Sequence, residues 1–231
     1  QGGAGPQLAG ANRLGLRAAV PAPEEGELRL MALGDSSVYG HGVEESRTFV
    51  EVAAHELGER WGRPVRAVNG GVPGYTSSQS LAALQEVGEA CAPTWIVVGN
   101  LWSDVHRLEA NETFQAASRP VHDGLSWFAL YRTMDRLLNP VARPTRVGWI
   151  DSPDDVGGDG VPCRVDLPTY VANLESMATW ADAHGAQPVF LVLPAPLDLD
   201  EYPEPATIVR YRDAMKQVAR DRDAPLIDGP E

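Results

Sequence analysis

Short apolar runs alternate along this chain with segments in which apolar residues recur at helical spacing. The apolar runs lie at 28–33, 65–68, 95–98, 189–193 and 225–228. The helical stripes lie at about 46–60, 77–87, 170–181 and 209–220. The run at 95–98 is continuous and β-branched, which is typical of a central parallel strand. The alternation predicts a flavodoxin-like three-layer α/β/α fold with a five-stranded parallel sheet covered on both faces.

The length of 231 residues and the hydrophobic fraction of 43% suit one sizeable α/β domain. Residues 1–27 are rich in Gly, Ala and Pro, and we expect them to form a tether before a domain at 28–231. The alternation is interrupted at about 104–166, where one amphipathic helix is predicted near 127–138. We interpret this stretch as an insertion over one end of the sheet, and not as a second domain.

The net charge of −13 disfavours nucleic acid and anionic membrane surfaces as partners. No apolar stretch reaches the roughly 18 residues that a membrane-spanning helix needs. The Gly/Ala/Pro-rich start suits a tether behind a cleaved export signal, so we expect a periplasmic or extracellular protein. Cys91 and Cys163 permit either one disulfide or two buried thiols, and the sequence does not indicate an oligomeric state.

The turns after the first three predicted strands hold the residues that could carry chemistry. Ser36 follows the first strand at the start of a helix, where amide groups favour a developing anion. Gly74 lies in the turn after the second strand, where the absence of a side chain lets a backbone N–H approach a reacting oxygen. Asn100, Ser103 and Asp104 follow the third strand. Parallel strands bring these turns to one edge of the sheet, so they predict a nucleophile with oxyanion donors.

These motifs resemble those of the SGNH (GDSL-like) hydrolase family over about residues 28–228. Residues 33–40, LGDSSVYG, are similar to the family's first block, which implies that Ser36 is the nucleophile. Residues 69–76, NGGVPGYT, are similar to the second block, which implies that the amide of Gly74 donates to the oxyanion. The third block normally reads Gly-x-Asn-Asp, and here Ser103 stands at the asparagine position. Asn100 is the rival donor, but it lies three residues early, so we favour Ser103.

The family's Asp-x-x-His block, which supplies the general base, does not occur in the printed sequence. In the family it follows the fifth strand by about twenty residues or more, so we expect it, with a last helix, beyond Glu231. None of the five histidines has an aspartate three residues upstream, and we expect none of them to be the base. They are His41, His55, His106, His122 and His184. A serine without a neighbouring base is a poor nucleophile, so we expect this chain alone to be weakly active.

The resemblance implies a serine hydrolase that cleaves an acyl or acetyl ester of a lipid, a glycan or a small molecule, without a cofactor. The alternative is an inactive binding module on the same fold, which Ser103 and the missing block favour. A phosphate or nucleotide binder using residues 34–42 is disfavoured, since carboxylates lie nearby and the P-loop lysine is absent. The histidines and cysteines lack the spacing of metal ligands, so no metal site is predicted.

Overall fold

The computed structural model describes residues 16–17, 22–106, 163–194 and 206–229. The five strands are β1 (Leu28–Gly34), β2 (Val65–Gly71), β3 (Trp95–Gly99), β4 (Gln187–Val192) and β5 (Leu226–Asp228). The helices in these ranges are α1 (Ser36–Tyr39), α2 (Phe49–Trp61), α3 (Ser77–Cys91), α4 (Trp102–Val105), α5 (Leu167–Ala183) and α6 (Ala206–Asp221), with a 3₁₀ turn at Glu45–Arg47.

The strands form one sheet in the order β2-β1-β3-β4-β5, and every neighbouring pair is parallel. This order confirms the predicted flavodoxin-like α/β fold. The chain first moves outward from β1 to β2 and then crosses back to β3, so the direction of winding reverses between β1 and β3. Ligands of open α/β sheets bind at such a reversal, beyond the carboxyl ends of the strands.

Alternate residues of the central strands enter two separate cores, as the period of two in a strand requires. Met31 and Leu33 pack with α3, α5 and α6 on one face of the sheet. Leu30 and Ala32 pack with α1 and α2 on the other face. Burial on both faces explains why residues 30–33 of β1 and 95–98 of β3 are continuously apolar in sequence.

Two residues of the predicted N-terminal tether lie against the domain. Leu16 is buried in the core on the sheet face that α3, α5 and α6 cover, and the backbone N–H of Arg17 donates to the carbonyl of Asn69 at 3.0 Å. The Arg17 guanidinium donates to the carbonyls of Tyr39, Gly40 and Val43, at and just beyond the carboxyl end of α1. The domain therefore includes contacts from residues that composition alone assigned to a tether.

The amino end of β1 carries a buried ion-pair cluster. Glu27, whose side chain is 2% exposed, accepts from Arg29 at 2.9 Å and from Arg66 at 2.5 Å. Burial alone would raise the pKa of Glu27, but the hydrogen bonds from the two guanidinium groups lower it. The cluster fixes the first residues of β1 at the edge of the sheet opposite to Ser36.

Most of the predicted insertion, including the helix near 127–138, lies outside the described residues. Cys91 and Cys163 do not form a disulfide with each other. The Cys91 thiol is buried, and the Cys163 thiol is hydrogen-bonded to Tyr211. None of the described helices combines the length and the apolar character needed to cross a membrane.

Candidate active site

Three glycines form a row across the carboxyl ends of the adjacent strands β2, β1 and β3. Gly34 pairs with Gly71 on one side and with Gly99 on the other. A Cβ at any of the three would lie within 3.0 Å of α1, and the closest approach is 2.3 Å, from Gly71 to the backbone nitrogen of Tyr39. The helix α1, which carries Ser36, therefore packs directly against this glycine row.

Ser36 is the first residue of α1, and its side chain is half-buried. The N-cap is Asp35, whose Oδ1 accepts from the backbone N–H of Ser37 at 2.9 Å. Gly40 ends the single turn in a left-handed conformation, with its N–H on the carbonyl of Ser36. The sharp strand-to-helix turn thus leaves the Ser36 side chain at the edge of the sheet.

The Asp35 carboxylate joins the first and third predicted blocks. Its Oδ2 accepts from the backbone N–H of Ser103 at 3.1 Å, and the residue is fully buried. Burial raises the pKa of this carboxyl, whereas the amide hydrogen bonds from Ser37 and Ser103 act in the opposite direction. One acidic side chain therefore sets the spacing between the turn that carries Ser36 and the turn that carries Ser103.

Gly74 lies at the third position of a tight turn. The N–H of Tyr75 donates to the carbonyl of Val72 at 3.0 Å, and Gly74 has a φ of +82°. With Pro73 at the second position, these are the features of a type II turn, in which the N–H of the third residue makes no turn hydrogen bond. The turn is attached to the first block, because the N–H of Val72 donates to the carbonyl of Gly34 at 3.0 Å.

The two candidates for the third oxyanion donor, Asn100 and Ser103, have different surroundings in the structure. The Asn100 side chain is fully buried, and its Nδ2 donates to the Oγ of Ser80 on α3 at 3.0 Å. Ser103 instead lies on α4, attached through its backbone to Asp35 beside Ser36. The geometry thus favours Ser103 over Asn100 as the residue next to the candidate nucleophile.

Buried polar side chains form a hydrogen-bond network around the turn after β3. The Asp104 carboxylate accepts from the backbone N–H of Ser77 at 2.9 Å and from its hydroxyl at 2.6 Å, at the start of α3. Asn173 on α5 donates to the hydroxyl of Ser77 at 2.9 Å, and the hydroxyl of Tyr170 donates to the carbonyl of Asn100 at 2.6 Å. The network ties the turn after β3 to α3 and α5, so that turn is held rigidly.

Four of the five histidines are described, and no hydrogen bond joins any of them to the Ser36 hydroxyl. His41 and His106 are exposed at the edge of the sheet that carries Ser36. His55 lies on α2, in a shallow depression at the amino end of β2, on the opposite edge of the sheet. His184 stacks on Trp180 at the end of α5, with 3.8 Å between the ring centroids. His122 lies outside the described residues.

In the described ranges, no group of three or more His, Cys, Asp or Glu side chains is placed to hold a metal ion.

The sequence does not predict three features of the site. They are the contacts of Asp35, the contact of Arg164 with the Gly74 turn, and the packing of the glycine row. The Asp-Ser dipeptide alone could have indicated that Asp35 is a helix N-cap.

Comparison with known proteins gives a family match and several structural neighbours. The model of the GDSL-like Lipase/Acylhydrolase family matches residues 32–230. A search of the curated proteins found no match. The chain is similar in structure to TesA, with 19% identity, a TM-score of 0.50 and coverage of 86% of this chain and 76% of that one. The psychrotrophic esterase EstA from Pseudoalteromonas sp. has 14% identity, a TM-score of 0.51 and coverage of 87% and 76%. The acetyl xylan esterase AlAXEase has 13% identity, a TM-score of 0.54 and coverage of 87% and 77%.

Proposed function

The chain belongs to the GDSL-like lipase/acylhydrolase family of ester hydrolases, and from this premise we propose that Ser36 is its nucleophile. In the proposed reaction the Ser36 hydroxyl attacks the ester carbonyl and passes its proton to a general base. The amides of Ser36 and Gly74 and the hydroxyl of Ser103 donate to the oxyanion of the tetrahedral intermediate. Collapse of the intermediate releases the alcohol, and water then cleaves the acyl-serine ester.

One observation carries this proposal, namely the position of Ser36 at the point where the winding of the sheet reverses. Ser36 follows β1 and Ser103 follows β3, and the Asp35 carboxylate links the two turns. The Gly74 turn is attached to the same strand end through Val72 and Gly34. A serine hydroxyl and two candidate oxyanion donors are thereby assigned to one edge of the sheet, where substrates of such folds bind.

The general base is proposed to come from the family's Asp-x-x-His block. None of the described histidines is hydrogen-bonded to Ser36, and none of the five in the sequence has an aspartate three residues upstream. Removal of the base from a serine hydrolase lowers kcat by several orders of magnitude. Activity should therefore be measured on the full open reading frame as well as on the printed chain.

The proposed substrates are acyl or acetyl esters of a lipid, a glycan or a small molecule. One structural neighbour is an acetyl xylan esterase, which supports including acetylated glycans among the substrates to be tested. We further propose that the segment within 104–166 shapes the choice among these esters, because its described ends, residues 104–106 and 163–165, adjoin the turn that carries Ser103.

An inactive binding module is the second candidate function. It is favoured by Ser103, whose hydroxyl reaches less far than the asparagine amide of the family pattern, and by the buried orientation of Asn100 towards Ser80. If neither side chain reaches the oxyanion, the site keeps only backbone donors. A module of this kind would bind an ester or its carbohydrate without cleaving it.

Labelling with a fluorophosphonate probe separates the two functions. The printed chain, the full open reading frame, the Ser36→Ala variant and a Ser176→Ala control would be compared. Ser176 is exposed on α5, and its hydroxyl donates to the carbonyl of Ala172 in the same helix at 2.7 Å. We expect the full protein and the Ser176→Ala control to label and Ser36→Ala not to label. A folded wild-type protein that does not label would favour the binding module.

A further inference from the structure

We propose that Arg164 is a positioning residue for the oxyanion donors, because it joins the Gly74 turn to the chain that follows Ser103. The inference rests on the function proposed above. Arg164 lies far in sequence from both turns, two residues after the segment 107–162, and it carries no family motif. Its backbone and its side chain make different connections, and the two together constrain the site.

The backbone of Arg164 pairs with the chain directly beyond Ser103. The N–H of Arg164 donates to the carbonyl of His106 at 2.8 Å, and the N–H of Val165 donates to the carbonyl of Asp104 at 3.2 Å. Asp104 is fully buried in the polar network that holds the start of α3. Arg164 therefore starts from a position that is fixed relative to the third block.

The guanidinium of Arg164 spans the Gly74 turn. Its Nη1 donates to the carbonyl of Gly74 at 2.6 Å, and its Nη2 donates to the Oε1 of Gln79 at 3.3 Å. Gln79 also accepts from the backbone N–H of Thr76 at 3.1 Å, as part of the capping box at the start of α3. One planar group thus contacts both the glycine and the helix start that follows it, which a lysine could not do in the same geometry.

This contact bears on catalysis because a glycine can adopt φ values of either sign. The φ and ψ of Gly74 together set the angle between the peptide plane that carries its N–H and the plane that carries its carbonyl, and the observed φ of +82° belongs to the turn described above. A charge-assisted hydrogen bond to the carbonyl of the same residue restricts rotation there. The guanidinium also places a positive charge at the side of the site where the oxyanion is proposed to form.

A purely structural role, closing the base of the segment 107–162, would predict a different result. That role depends on the backbone hydrogen bonds of Arg164, which any residue except proline can make. The positioning role depends on the side chain. Arg164→Met retains an unbranched apolar stem and removes the donors, whereas Arg164→Lys retains the charge and a single donor nitrogen.

The experiment uses the full open reading frame, with kcat and KM for p-nitrophenyl acetate normalised to the fraction of enzyme that a fluorophosphonate labels. For Arg164→Met we expect kcat to fall roughly tenfold to a hundredfold, the range that follows from a small misplacement of a reacting group. KM should stay within about twofold, because the lost interaction acts in the transition state. Arg164→Lys should recover part of kcat.

A second measurement does not require turnover. The amide resonance of Gly74 in a ¹H–¹⁵N spectrum should shift in Arg164→Met more than in the control Arg222→Met. Arg222 is a matched control, because its guanidinium also donates to a backbone carbonyl, that of Glu175 at 3.0 Å, and to Thr179 at 2.6 Å, in the contact between α5 and α6.

The outcomes are distinct. A lowered kcat with a shifted Gly74 amide, partly restored by lysine, supports the inference. An unchanged Gly74 amide in Arg164→Met overturns it, whatever the activity. A normal kcat per labelled enzyme also overturns it. If the wild-type protein does not label at all, the proposed function fails, and the role of Arg164 in catalysis fails with it even where the Gly74 amide shifts.

Discussion

The glycine row beneath α1 makes a quantitative prediction for Gly71→Ala. A Cβ at residue 71 would lie 2.3 Å from the backbone nitrogen of Tyr39 and 2.7 Å from the carbonyl carbon of Val38. Ordinary contacts of a Cβ begin at 3.4 Å, and both neighbours are backbone atoms that cannot rotate away. The helix α1 must therefore move away from β2 by about 1 Å, and Ser36 must move with it.

Two effects follow from that displacement. Overpacking of this kind costs about 1–3 kcal/mol in the free energy of unfolding. A shift of about 1 Å in a reacting group lowers the rate by roughly a hundredfold. We therefore expect Gly71→Ala to be folded but destabilised, with a second-order rate constant for fluorophosphonate labelling of Ser36 that is about two orders of magnitude lower.

The assay combines urea unfolding, followed by circular dichroism, with the labelling rate of the full open reading frame. Gly58→Ala is the matched control. Gly58 lies within α2, and a Cβ there would be 3.4 Å from its nearest neighbour, the carbonyl oxygen of Arg63. Alanine in place of glycine inside a helix should raise stability by about 0.5–1 kcal/mol and leave labelling unchanged. A Gly71→Ala protein that labels at the wild-type rate would refute the idea that the row fixes the position of α1.

Three further predictions concern the polar groups of the site. Burial raises the pKa of Asp35 above its ordinary 3.8, so the folded protein binds a proton at Asp35 more tightly than the unfolded chain does. The stability that Asp35 contributes therefore falls as the pH rises from 3.8 through the pKa of the folded protein. The destabilisation caused by Asp35→Asn, measured by urea unfolding at several pH values, should accordingly be largest at and below about pH 3.8 and shrink as the pH rises above it; a deficit that grows with pH contradicts this. Ser103→Ala should lower kcat by about tenfold to a thousandfold with little change in the free energy of unfolding, as for the loss of an oxyanion donor. Asn100→Ala should instead lower stability by about 1 kcal/mol, because it removes the buried hydrogen bond to Ser80, with a smaller effect on kcat.

The sequence predicts the centre of the sheet well because β1 and β3 are buried on both faces. The runs at 30–33 and 95–98 are continuously apolar, as expected for central parallel strands that are covered on both faces. The location of the candidate site follows from topology, since Ser36 and Gly74 come directly after parallel strands. These inferences need only local pattern and the rule that parallel strands end at one edge.

Contacts between distant segments could not be read from the same patterns. Asp35 and Ser103 are 68 residues apart, and Arg164 and Gly74 are 90 residues apart. Nothing in the neighbourhood of Arg164 in sequence distinguishes it from the other arginines. The spacing favours Ser103 over Asn100 as the third donor, but the hydrogen bond that turns Asn100 towards Ser80 depends on how α3 packs on the sheet.

The contact of Arg17 with the end of α1 determines how substitutions and proteolysis affect the position of α1. Its acceptors are the backbone carbonyls of Tyr39, Gly40 and Val43, so substitutions in the side chains of α1 leave the contact available. The contact is lost when Arg17 itself changes or when a protease cuts on its carboxyl side. A cleavage event about twenty residues before Ser36 would then loosen the helix that carries it, without altering any residue of the site.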